Sequence, residues 1–146
     1  MSDFTLARTA KSAVSTGITS QAVAAGANYL GSEMDNSAAE NPSDATTEIT
    51  YDSASSPAAG KTLELYLLRA PDGTNYEEGD ASPTDPADHK QPVLTLALDE
   101  DTDTHRFVFD HALPPDKCKW LVKSESDQSC TVTVKTWTTK PHLTQD

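Results

Sequence analysis

Residues Leu63 to Gly79, LELYLLRAPDGTNYEEG, constrain the fold more than any other stretch of the chain. Over Lys61–Arg69, leucines at 63, 65 and 67 fall on every second position with Glu64 and Tyr66 between them. A period of two places them on one face of an extended strand. Pro71 breaks the run, and Asp72–Gly73 followed by Thr-Asn-Tyr supplies turn chemistry. The pattern is a strand that ends in an acidic, glycine-punctuated loop, and the rest of the chain repeats it.

Short apolar runs recur at Ala27–Leu30 and at Glu48–Tyr51, where Ile49 and Tyr51 share a face. Val93–Leu98 places Leu94, Leu96 and Leu98 inward, and Arg106–Asp110 aligns Phe107 with Phe109. Lys117–Lys123 aligns Cys118, Trp120 and Val122, and Ser129–Thr138 aligns Cys130, Val132 and Val134. Polar breaks separate them, notably Gly31–Thr47 and Pro71–Pro92. The second of these carries four prolines, two glycines and six acidic residues over 22 positions, a length that marks a functional or disordered loop in a compact domain. Asp99–Thr104 reads as the hairpin between the fourth and fifth runs, and a turn near Ser126 and Asp127 as the hairpin between the last two. The sequence carries no long helical periodicity and no internal repeat.

Many short strands with polar turns predict an all-β fold, an antiparallel two-sheet sandwich of jelly-roll type. The expected organisation is an extended N-terminal arm over residues 1–25, a β-sandwich over 26–140 and a tail over 141–146. The arm is rich in small residues, and a short amphipathic helix near Phe4–Val14 is the alternative there. Arg8 and Lys11 set the arm apart from the acidic body. Phe107, Phe109, Trp120 and the leucines are expected to dominate stability, each large buried side chain contributing about 1.5–3 kcal/mol.

The formal net charge of −12 argues against a nucleic-acid groove or an anionic membrane as partner. No apolar run is long enough to span a bilayer, and residues 1–20 lack the apolar core of a signal peptide. In the second hairpin, Cys118 falls opposite Lys135 rather than Cys130, so both cysteines are expected as reduced core residues of a chain made in a reducing cytosol.

Catalytic signatures are not found. The histidines at 89, 105, 111 and 142 lack metal-ligand spacing, and no nucleophile elbow, phosphate loop or zinc-protease motif occurs. The expectation is a protein that is not an enzyme and needs no cofactor. Asp99, Asp101, Asp103 and Asp110 fall at positions 1, 3, 5 and 12 of a calcium-loop register. Thr104 stands where that loop needs glycine, and the flanks are strands, so they are candidate calcium ligands only in an ad hoc site. The competing reading is a solvated acidic turn that discourages edge aggregation. Tyr29 and Tyr76 are candidate sugar-facing aromatics, or tyrosines that close the core edge.

Three segments resemble a known group. They are Tyr29-Leu30-Gly31-Ser32-Glu33-Met34-Asp35-Asn36-Ser37, then Leu65-Tyr66-Leu67-Leu68 leading into Asp72-Gly73-Thr74-Asn75-Tyr76-Glu77, then Leu113-Pro114-Pro115-Asp116-Lys117. Together they resemble small virion structural proteins of tailed bacteriophages over roughly residues 27–123. The chain departs from their pattern at Cys118, where such relatives often carry an aromatic. The resemblance implies a capsid decoration (cement) protein on the head surface of the virion. Its expected partners are the major capsid protein and further copies of itself, as a homotrimer. The residues expected to make those contacts are Phe4, Leu6, Arg8 and Lys11 of the arm, with Tyr76 in the long loop. A tail-, neck- or fibre-associated protein and a carbohydrate-binding module are the alternatives.

Overall fold

In the computed structural model the described residues are 4–8, 12–37, 44–76, 80, 82–98, 101–139 and 141–145. They form strands β1 (Phe4–Arg8), β2 (Ser12–Val23), β3 (Asn28–Asp35), β4 (Asp44–Ser53), β5 (Thr62–Ala70), β6 (Leu94–Ala97), β7 (His105–Ala112), β8 (Lys117–Ser124), β9 (Cys130–Thr139) and β10 (Pro141–Gln145).

Pairing follows one rule. β5 pairs with β6, β4 with β7, β3 with β8, β2 with β9 and β1 with β10, each antiparallel. The chain is thus a single long antiparallel ribbon with β5 and β6 at its tip. The ribbon is wound so that β4 also meets β9 and β5 also meets β8. This closes two four-stranded sheets, β2-β9-β4-β7 and β3-β8-β5-β6, with β1-β10 as a separate pair. That winding is the jelly-roll order, and the all-β sandwich expected from the sequence is the observed fold.

Three local expectations change. The segments 99–104 and 125–129 were expected to close hairpins, yet β6 and β8 lie in one sheet and β7 and β9 in the other. Period-two patterning identifies a strand's faces but not its partners. Cys118 therefore lies beside Met34 and Arg69, and Cys130 beside Val23 and Ser53. Both are buried free thiols, and burial pushes Cys118 up to about 12. Residues 12–23, read as part of an arm, form the edge strand β2 with three register shifts along β9. Residues 4–8 are extended rather than helical and pair with 141–145, the expected tail.

The main core lies between the sheets. Leu63, Leu65 and Leu67 of β5 and Cys118, Trp120 and Val122 of β8 meet Ile49 of β4 and Val132 and Val134 of β9. Phe109 packs against this core, whereas Phe107 is 42% exposed. β7 is an outer strand of its sheet, and β6, at the corresponding edge of the other sheet, is only four residues long. Phe107 is therefore left at the open side and is not among the dominant core residues.

Where β2 turns into β3, two glycines let the sheets touch. A Cβ at Gly31 would collide with the Gly17 carbonyl oxygen and lie 2.8 Å from Ile18 Cγ1. A Cβ at Gly17 would lie 2.8 Å from Trp120 Cδ1. Because the obstacle at Gly31 is backbone, Gly31→Ala is expected to destabilise by about 1–3 kcal/mol through overpacking. Urea unfolding checks this, and an unchanged midpoint would show that the corner can open.

Candidate contact surfaces

The described parts of the long segment after β5, residues 71–76, 80 and 82–92, lie across the outer face of the β3-β8-β5-β6 sheet. Asp72 opens it with an Asx turn, accepting from the backbone N–H groups of Thr74 and Asn75 at 2.9 and 2.7 Å. Gly73, at φ 76°, takes the left-handed position. Tyr76 then packs with Tyr66, Leu68, Ala70 and Leu121 in a second, smaller core, with Leu30 at its margin. Further along, Asn28 donates to the Thr84 carbonyl and to Asp85, and the Val93 N–H returns to the Leu65 carbonyl at 2.8 Å. The segment is a strap sealed to the sheet.

The three segments that carry the phage resemblance meet here. The Tyr76 hydroxyl donates to Glu33 at 2.7 Å, Lys117 pairs with Glu33 at 3.0 Å, and Lys119 lies 4.5 Å from the Tyr76 ring centre. Asn36 Nδ2 donates to the Pro114 carbonyl at 2.8 Å, and Arg69 pairs with Asp116. The Tyr76 hydroxyl, and then Lys117, hold the Glu33 carboxyl below its ordinary range, while burial first and the Glu33 bond second push the Tyr76 phenol up. Tyr76 is 5% exposed, so it closes the core edge and offers no open platform. Tyr29 packs against the main core.

A buried polar chain crosses the sandwich. Trp120 Nε1 donates to Thr136 Oγ1, Thr136 and Thr47 share a hydroxyl bond, and Thr47 Oγ1 meets His111 Nε2, each at 2.9 Å. His111 Nδ1 faces the Ala112 carbonyl at 2.9 Å and must carry the ring proton. Nε2 therefore accepts from Thr47, and every hydroxyl has one donor and one acceptor role. Thr47 is fully buried, so its hydroxyl is closed to solvent.

Burial pushes His111 below its ordinary value. The unfolded chain takes up the proton near about 6.5. The stabilisation is complete above that value and is lost as pH falls from there through the folded-state value. We expect the melting temperature to fall as pH drops below about 6.5, with a smaller fall in His111→Gln. The lowered carboxylates, Glu33 among them, act in a separate window below their ordinary values. Equal slopes in the two proteins would place the titrating group elsewhere.

The acidic turn does not bring Asp110 together with Asp101 and Asp103. Asp101 Oδ1 accepts from the Asp103 N–H and meets His105 Nε2, both at 3.0 Å. Asp110 is bonded to Thr46 on the neighbouring strand. It stands five residues along β7 from His105, about 16 Å, too far to share a cation with Asp101. Asp99 lies outside the described residues. Among the described residues no group of three or more His, Cys, Asp or Glu is placed to hold a metal ion.

Of the expected contact residues, Phe4, Leu6 and Arg8 lie on β1, opposite Gln145, Leu143 and Pro141 of β10. Lys11 lies outside the described residues. One surface was not anticipated, the open side at β7. Val108 is 49% exposed, and Val93, just before β6, is 42% exposed. The alternation Phe107–Phe109 points to the buried face of a strand and gives no sign that the strand ends its sheet.

No family model matches the chain, and no curated protein matches it in sequence. Among solved structures, 95% of the chain is similar to 13% of latent PorU from Porphyromonas gingivalis, at 8% identity and a TM-score of 0.52. A CBM4 structure is similar over 86% of this chain and 81% of its own, at 10% identity and a TM-score of 0.37. The acid-stable capsid of Helicobacter pylori bacteriophage KHP30 is similar over 86% of this chain and 97% of its own, at 14% identity and a TM-score of 0.33. The first likeness speaks to fold alone, and the other two carry no argument. Among the described residues no helix is long and apolar enough to cross a membrane.

Proposed function

We propose that the chain is a non-catalytic virion structural protein of a tailed bacteriophage that decorates the head by binding across neighbouring major capsid subunits. The observation that carries this reading is the convergence of the three resembling segments. They lie far apart in sequence, yet Glu33, Asn36, Arg69, Tyr76, Asp116 and Lys117 close one another's contacts on one sheet. The resemblance therefore describes a single folded unit, a sandwich with a strap. Binding would be multivalent, each copy adding a modest contact area and several contacts acting together. The major capsid protein and further copies of the chain are the partners this reading requires. Tyr76, one of the two candidate sugar-facing aromatics, is packed into the small core, and Tyr29 lies half-buried against the main one.

Particles assembled without the chain are expected to release their DNA at lower temperature than complete particles, and adding the purified chain back should restore the difference. Equal heat resistance with and without the chain would reject a cementing role.

A further inference from the structure

We propose that β7 is a self-association edge, pairing antiparallel with β7 of a second copy about a twofold axis through Val108. Among the described residues β7 is bonded to β4 on one side and ends its sheet, which leaves its other edge for a strand. The occupant is indicated by the residues themselves. His105-Arg106-Phe107-Val108-Phe109-Asp110-His111 reads the same from either end, except that Arg106 at one flank becomes Asp110 at the other. Centred on Val108, an antiparallel pair sets Arg106 opposite Asp110 of the second copy twice over, Phe107 opposite Phe109 twice, and Val108 opposite itself.

Each of these is a favourable cross-strand neighbour. The exposed Arg106 already pairs with Glu48, and its guanidinium has donors for a second carboxylate. Asp110 accepts from Thr46 and retains further lone pairs. The match also answers the main objection to self-association. A chain of net charge −12 repels its copies in general, but the β7 edge balances one arginine against one aspartate. The product would be one continuous sheet of eight strands, β2-β9-β4-β7 joined to its symmetry mate. An edge of eight residues buries less than the roughly 800 Å² per partner of a standard interface, so the dimer should be weak and concentration-dependent.

This inference does not rest on the phage reading, and its test uses the purified chain alone. Light scattering between about 1 µM and about 1 mM should show the mass rising from 15.6 kDa toward two chain masses. Arg106→Asp and Asp110→Arg each set like charges opposite one another, and each alone should remain at one chain mass. Mixed in equal amounts they restore both complementary pairs, and the mass should rise again. Val108→Lys, at an exposed site, should also stay at one chain mass with an unchanged circular dichroism spectrum. A wild type that remains single to the highest concentration, a mass of three chains, or a mixture that fails to associate would each overturn the proposal.

Discussion

Trp120→Ala is expected to destabilise the fold by about 3–5 kcal/mol, a large share of the 5–15 kcal/mol typical of a domain. Trp120 is fully buried on β8 and meets both sheets. Its ring stands edge-on to Phe109 and His111, with centres 6.3 and 5.3 Å away, and covers Gly17 on β2. Truncation would open a cavity where β2, β7 and β9 converge, and would remove the donor that starts the polar chain. Trp120→Phe separates these effects. It keeps most of the ring but leaves the Thr136 hydroxyl without its donor, for about 1–3 kcal/mol. Urea unfolding followed by circular dichroism gives both values. A loss under about 1 kcal/mol for Trp120→Ala would mean that the sheets do not pack through this ring.

Tyr76→Ala comes second, with an expected cost of about 3–5 kcal/mol for the aromatic it removes from the small core. The loss should be local. The strap would lift from Tyr66, Leu68 and Leu121, while the core between the sheets kept its contacts. Limited proteolysis should then cut within residues 82–92, and the dye ANS should bind. Tyr76→Phe should cost only the hydroxyl bond to Glu33, about 1 kcal/mol, and leave the strap protected. Cleavage at the same rate in wild type and Tyr76→Ala would contradict the strap as a sealed element.

These expectations rest on features that were unequally legible in the sequence. Strict alternation identified β4 to β9, because Leu63-x-Leu65-x-Leu67 and Cys118-x-Trp120-x-Val122 each set three apolar side chains on one face of a strand. β2 was hidden because Ser12–Val23 is rich in Ser and Thr, spaces Val14, Ile18 and Val23 out of the period of two, and contains Gly17, whose role is close approach rather than burial. The order of strands was hidden, since alternation is blind to partners, and two cross-sheet connections looked like hairpins. The strap had a signal in the sequence. Leu65-Tyr66-Leu67-Leu68 is apolar on both faces, the mark of a strand covered on both sides, so something had to lie over Tyr66 and Leu68. The exposed side at β7 could not be read from Phe107 and Phe109, because it depends on the shortness of β6 in the other sheet.

What remains on the outside is an acidic sandwich with one charge-balanced edge and a paired strand of each terminus, a body suited to contact. Immunogold labelling of purified particles with an antibody against this chain tests that account most directly. The prediction is gold distributed over the heads of intact virions. Gold confined to tails, or particles carrying none of the chain, would contradict it.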